Sequence, residues 1–389
     1  MRVAVFHNLN SGGSLRALTY QVKYLRRFGH HAKIFTIPSP GFRNPLLYFL
    51  YLYLRSPSLH RQLARQIDSQ NFDVVLMAHD HLTQSPYLLR YLKTPTVYYC
   101  NEPKRDLYES EGFTRTSLRE KLNFIFHYPL KWIDLINTRH ATTILANSKY
   151  SQKCLEIIYK RKVFVNYLGV DTKKFHPSKT PTSRNSNFYI LSVGTLLPHK
   201  GFEFLVKSVS LLDPEYRHLI FVGNGGNSRY IHHLNSLSNS LRVNLTILEN
   251  ISDLELIHLY QEAAVFAVPF HHEPFGLVIL ESLACGTPVV AINEGGPIEI
   301  SQSFPGKSPV TLSPRDTHLF SQAILKHFKT YISSSLLSFV KNNWNWEKSV
   351  RELEEYLKTS SSKSISSHEK TRALSHKHGI GQGTSVKSL

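Results

Sequence analysis

Two carboxylates eight positions apart, Glu273 and Glu281, flank the turn Pro274-Phe275-Gly276 and the apolar run that Leu277 opens. The run reads as a short helix: Gly286 suits a left-handed cap, Pro288 forbids continuation, and Val289-Val290-Ala291 follows as a buried strand. A carboxylate inside such an apolar element is costly unless something pairs with it. A helix starting near Gly276 offers backbone N–H groups and a positive dipole end, a seat for a diphosphate. Glu281, one turn inside, can accept two hydrogen bonds from a vicinal diol such as ribose, while Glu273 points at whatever the diphosphate carries. A capping Glu and a buried Glu bonded to backbone would produce the same two letters.

Other candidates are weaker when taken singly. Gly12 and Gly13 in "NSGGS" permit close backbone approach, though most glycine pairs are simply turns. His79, at a strand end in "MAHDH", reads as structural or acceptor-contacting rather than catalytic. Metal chemistry has little support: there is no D-x-D, no HExxH and no paired Cys/His spacing. The His-His pairs at 30–31, 232–233 and 271–272 read as surface, with His272 beside Glu273 as the exception. Neither a Gx4GK[ST] loop nor a helix-turn-helix or RNP signature is present, which argues against a nucleoside triphosphatase or a nucleic-acid partner.

The elements that must carry these residues come in two series. "RVAVFH" (2–7), the glycine loop, a helix over 15–29 and "HAKIFTI" (31–37) form a βαβ unit, which implies a parallel sheet. Strands follow at 73–79, 94–100, 142–148 and 162–169. A Pro- and Ser-rich stretch, 176–187, reads as a linker. The second series has strands at 188–194, 218–224, 243–249, 265–269 and 287–292. An amphipathic helix occupies 342–358, and the polar residues 359–389 are expected to be disordered. The fold class is therefore α/β, with two doubly wound parallel-sheet domains and ligands at the strand C-termini in the cleft between them.

With 389 residues, two domains are the default. The net charge of +18 is uneven: residues 1–178 hold 26 Lys and Arg against 11 Asp and Glu, while 179–358 hold 15 against 16. The N-terminal half therefore faces something anionic. Three cysteines without a CxxC point to a reducing compartment. The apolar start is too short for a signal peptide, and "LLYFLYLYL" (46–54) is too short to span a bilayer. A cytoplasmic protein, peripheral on the inner face of the membrane, is expected.

Order and spacing add what single residues cannot. E-P-F-G-L-x3-E is followed by G-T-P-V-V-A and "GGPIE" (295–299). Upstream stand "NSKYSQKCL" (147–155), "LGVDTKKFHP" (168–177), "SVGTLLPHKGFEFLV" (192–206) and "IFVGNGG" (220–226). In these motifs the sequence resembles the retaining GT-B glycosyltransferases of family GT4 (glycosyl transferases group 1), over nearly the whole chain to about residue 358. The resemblance implies two Rossmann-like domains, 1–178 for the acceptor and 188–345 for the nucleotide sugar, with a last helix (346–358) crossing back and a tail from 359. It implies that Glu273 contacts the donor sugar, Glu281 holds the ribose, and backbone N–H groups of Phe275, Gly276 and Leu277 meet hydroxyls and phosphate. Lys200 would neutralise the departing diphosphate, and Gly13, Gly194, Thr195 and Gly223 would also lie against the donor.

Two positions depart from the family pattern. Thr195 stands where Arg usually follows the glycine, which leaves more of the diphosphate charge to Lys200. Asn101 stands where a His is often found near the reacting sugar; it can hydrogen-bond a hydroxyl, but it cannot take a proton. With His79 it is the expected acceptor contact. The implied activity is metal-independent, cofactor-free transfer from a nucleoside-diphosphate sugar to a hydroxyl of a lipid-linked or polysaccharide acceptor at an anionic membrane surface. An epimerase or phosphorylase on the same fold, or a non-catalytic binding relative, are the alternatives.

Overall fold

The computed structural model describes all residues except 10–11, 39–40, 42–43, 109–117, 179–187, 227, 329, 331 and 379–389. Most of the expected linker lies outside the described residues, as does the end of the tail.

Two six-stranded sheets organise the chain, and every strand pairing within them is parallel. The first contains β1 (Arg2–Asn8), β2 (His31–Phe35), β3 (Val74–Asp80), β4 (Thr96–Tyr99), β5 (Thr143–Ala146) and β6 (Phe164–Val165), in the order 2-1-3-4-5-6. The second contains β7 (Ile190–Val193), β8 (His218–Val222), β9 (Asn244–Leu248), β10 (Val265–Val268), β11 (Val289–Ile292) and β12 (Val310–Ser313), in the order 12-11-10-7-8-9. Strand runs such as "VAVF", "VVLM" and "VFAV" are buried on both faces, as strands covered by helices on both sides must be. In each sheet the order reverses once, between β1 and β3 and between β7 and β10, and loops after those strands leave a crevice.

Three differences from the sequence reading concern lengths and numbers of elements. The sixth strand covers only Phe164–Val165, and β12 follows a polar turn that conceals its short apolar run. The helix expected to end at Lys358 runs from Trp346 to His378, so residues 359–378 are not disordered as expected. The composition is polar, but no Gly or Pro interrupts it before Gly379, and serine is a tolerable helix residue. Ser360 is buried there and its hydroxyl lies 2.8 Å from Thr143 Oγ1.

This last helix belongs in sequence to the second half, but it packs on the first. Trp346, Val350, Leu353 and Leu357 are buried against the first sheet and the helix Gly13–Arg27, with Trp346 stacked on Tyr20 at 5.0 Å. The chain crosses between domains at two strands of backbone that touch: Val170 N–H donates to Trp344 O at 2.8 Å. A Cβ at Gly169 would lie 2.4 Å from the Asn345 carbonyl carbon, so only glycine fits this crossing.

Candidate active site

Between the sheets lies a cleft of about 750 Å³, lined by loops from both reversal points. From the first domain come Gly12, Gly13, Arg16, Asn101 and Glu102; from the second come Gly194, Thr195, Lys200, Gly223 and the stretch Glu273–Val278 with Glu281. The sequence-expected donor residues Gly13, Gly194, Thr195, Lys200, Gly223, Glu273, Phe275, Gly276, Leu277 and Glu281 all line this one space, as does Asn101. His79 is not among its lining residues. It stands one residue before the end of β3, half-buried, and desolvation pulls its imidazole down to about 4, so it is neutral at physiological pH.

The local causes are legible. Gly276 has φ +101° and caps the helix Leu277–Ala284, whose N-terminus no side chain caps. The positive φ turns the chain so that this helix end meets the cleft, leaving its first N–H groups for a ligand. Gly223 approaches Gly194 so closely that a Cβ there would lie 1.8 Å from the Gly194 carbonyl oxygen. That contact holds the loops after β7 and β8 side by side.

Glu273 and Lys200 meet directly, with Lys200 Nζ donating to Glu273 Oε2 at 2.8 Å. The ammonium also sits 4.8 Å from the ring centre of Phe270. Beside it, His199 is pushed down to about 4 by desolvation first, and then by Lys200 and Arg105. Asn101 Nδ2 donates to Ser14 Oγ at 2.9 Å, tying the end of β4 to the glycine loop, while its Oδ1 has no protein partner.

Glu281 is buried, and its carboxylate accepts from Tyr260 Oη at 3.1 Å and from Arg16 Nη1 at 2.7 Å. Desolvation raises its pKa, and the nearby Arg16 opposes that rise. Arg16 also approaches Asp253 at 4.0 Å, and Glu281 holds its guanidinium above the usual value. Arg16 belongs to the first domain, so the pair crosses the cleft. Sequence reasoning did not single it out, although its place three residues after Gly13 in the first helical turn is the available signal. Arg16 and Lys200 are the cations among the described residues that line the cleft. Glu102 was also missed. It pairs with Arg105 at 3.0 Å, and desolvation lifts its carboxyl against the pull of Arg105 and Lys200.

Two family models divide the chain between them: "Glycosyltransferase Family 4" matches residues 11–174 and "Glycosyl transferases group 1" matches 174–332. The chain belongs to the GT4-type glycosyltransferases. A probable sucrose-phosphate synthase from Thermosipho melanesiensis is 32% identical over 200 residues, 50% of this chain and 46% of that protein. Human alpha-1,3/1,6-mannosyltransferase ALG2 is 25% identical over 290 residues, 67% of this chain and 65% of that protein. The chain thus spans about half to two thirds of the length of these curated relatives. Among solved structures, sucrose-phosphate synthase from Thermosynechococcus elongatus superposes with a TM-score of 0.73 at 18% identity, covering 92% of this chain and 98% of that one. Anabaena HepE in complex with UDP-glucose superposes with a TM-score of 0.68 at 18% identity, covering 92% and 100%. These likenesses establish the fold of this GT4-type chain as GT-B.

Proposed function

We propose that the protein transfers a sugar, with retention, from a nucleoside-diphosphate sugar to an acceptor hydroxyl. The observation that carries this is the convergence of Glu273, Lys200, Glu281 and an uncapped helix N-terminus on one cleft between two α/β domains. The helix end and Lys200 would bind the diphosphate, Glu281 the ribose and Glu273 the sugar. Negative charge grows on the leaving phosphate as the glycosidic bond breaks, and a fixed ammonium there lowers the barrier. The acceptor hydroxyl would attack from the same face and lose its proton to the departing phosphate, so no enzymic nucleophile is needed. Asn101 would orient the sugar or the acceptor.

The reading is tested by incubating the protein with a panel of sugar nucleotides and following release of nucleoside diphosphate, which should occur slowly even without acceptor. EDTA should leave the rate nearly unchanged, because Lys200 and the helix N–H groups balance the diphosphate. Loss of activity in EDTA, restored by Mg²⁺, would refute that balance. Epimerised donor without acceptor would favour an epimerase, and a panel with neither binding nor turnover would favour a binding protein.

A membrane-borne acceptor is favoured by the surface of the first domain. Among the described residues, 13 large apolar side chains are exposed, and seven of them lie in two segments: Leu46, Leu47, Leu50 and Leu54, and Tyr128, Trp132 and Ile136. Leu52, Leu82, Leu107 and Leu130 pack into a small core that joins these segments, so the exposed side chains share one region. The Leu59–Leu63–Ile67 stripe of the helix Ser56–Asp68 faces the sheet, which leaves exposed Arg55, Arg61 and Arg65 beside the apolar patch. No helix among the described residues is long and apolar enough to cross a membrane. Anionic lipid attracts each nearby Lys or Arg by about 1 kcal/mol, over roughly 8–10 Å at physiological salt. The protein should therefore sediment with anionic but not neutral vesicles and be released at about 0.5 M salt, where screening is shorter-ranged. Arg61→Glu with Arg65→Glu should weaken the binding. Equal recovery in the supernatant with both vesicle types at low salt would point to a soluble acceptor.

A further inference from the structure

The turn between β10 and the helix Leu277–Ala284 carries two adjacent histidines whose side chains do not diverge. His272 is held at φ +48°, an uncommon conformation for a residue other than glycine, and the imidazoles of His271 and His272 come to 3.8 Å between centroids. Glu294, after β11, completes the group: its Oε2 lies 2.8 Å from His271 Nδ1 and accepts the His272 backbone N–H at 3.3 Å. One ligand atom from each of the three residues lies within 4.8 Å of the other two. We propose that His271, His272 and Glu294 form a binding site for a divalent transition-metal ion of the zinc type.

Two imidazoles and one carboxylate make a donor set that suits Zn²⁺ and its borderline-soft neighbours better than Mg²⁺ or Ca²⁺. Tetrahedral donors with bonds near 2.0–2.1 Å stand about 3.3 Å apart. The side chains of His271 and Glu294 are 37% and 26% exposed, so small rotations about their χ angles bring the donors to that spacing. Two guanidinium groups lie close by, and both are engaged by backbone carbonyls. Arg315 lies 3.9 Å from Glu294 Oε1 and donates to Pro269 O at 3.1 Å. Arg105, from the first domain, donates to His271 O at 2.9 Å and to His272 O. Three protein ligands leave a fourth position for water.

The three residues are not among those lining the donor cleft, but His272 precedes Glu273. A bound ion would fix the turn that carries Glu273 and anchors Arg105 of the other domain. Such an ion would steady that turn, and the transfer itself would not require it, in keeping with a rate that EDTA leaves nearly unchanged.

Cobalt(II) added to the full chain is the probe, because four- or five-coordinate Co²⁺ absorbs visibly far more strongly than its aquo ion. One equivalent should develop this absorption and be displaced by Zn²⁺. His271→Ala and Glu294→Gln should each weaken Zn²⁺ binding by more than about 100-fold, beyond the 10- to 100-fold typical of removing an outer-shell partner. Glu294→Gln keeps the size of the side chain and one acceptor oxygen for the His272 N–H, so its loss of metal does not reflect a lost fold. His233→Ala, which changes a surface histidine paired with Glu203, should leave the absorption intact. Equal binding by the parent and Glu294→Gln would overturn the site, as would a parent chain that leaves Co²⁺ as the aquo ion.

Discussion

Lys200→Ala should lower turnover more than about 100-fold, the loss expected when one preorganised group facing transition-state charge is removed. The effect should fall on kcat, because the charge that Lys200 meets grows as the diphosphate departs. Lys200→Arg should keep part of the activity, although its planar fork cannot reproduce the 2.8 Å contact with Glu273 unchanged. The position after Gly194, where a second cation is expected, holds Thr195, so Arg16 is the remaining cation among the described lining residues. Turnover near that of the parent in Lys200→Ala would move the role to Arg16. Single-turnover measurements would make the distinction, since they report the chemical step apart from product release.

Glu281→Ala should weaken donor binding by roughly 10- to 100-fold, as expected for losing charge-assisted hydrogen bonds worth about 1.5–3 kcal/mol. The carboxylate already holds Arg16 at 2.7 Å and Tyr260 at 3.1 Å, so a structural role predicts a different pattern. If Glu281 acts only by holding Arg16, then Arg16→Ala should cost the same affinity. If Glu281 holds the ribose, Arg16→Ala should leave donor affinity unchanged or improve it, because the competing guanidinium is gone. Glu281→Gln, which keeps the buried Tyr260 hydroxyl satisfied, guards against unfolding as the cause of any loss. Unchanged donor affinity in both Glu281 variants would sink the ribose assignment.

Much of the fold was legible because it rests on short-range signals. Short runs of aliphatic, β-branched and aromatic residues marked eleven of the strands, and Gly276, Gly286 and Pro288 marked the ends of the helix that carries Glu281. Element ends were less legible, since a strand stops where its partner stops: "KVFVNYLG" has strand composition throughout but pairs with β5 only at Phe164 and Val165. One wall of the cleft was legible because Glu273, Phe275, Gly276, Leu277 and Glu281 stand close together in the sequence. The pairing of Arg16 with Glu281 was not, as the two are 265 residues apart and only the approach of the domains brings them together. His79 marks another limit: the end of β3 was placed within one residue, yet which way a strand-end side chain faces depends on the neighbouring loops, and this one does not line the cleft.

The packing of Trp346, Val350, Leu353 and Leu357 on the first sheet has a consequence for how the chain is made. Translation proceeds at about 5–20 residues per second, and domains generally fold as they emerge. The first domain's last strand ends at Val165, but one of its covering walls is encoded almost 200 residues later. At those rates the nascent first domain waits roughly 10–40 s with that face of its sheet bare. A second α/β unit with a closely similar parallel sheet is synthesised during this interval. The order of synthesis thus makes the bare face a natural site for chaperone contact, relieved only when the ribosome reaches the end of the chain's ordered core.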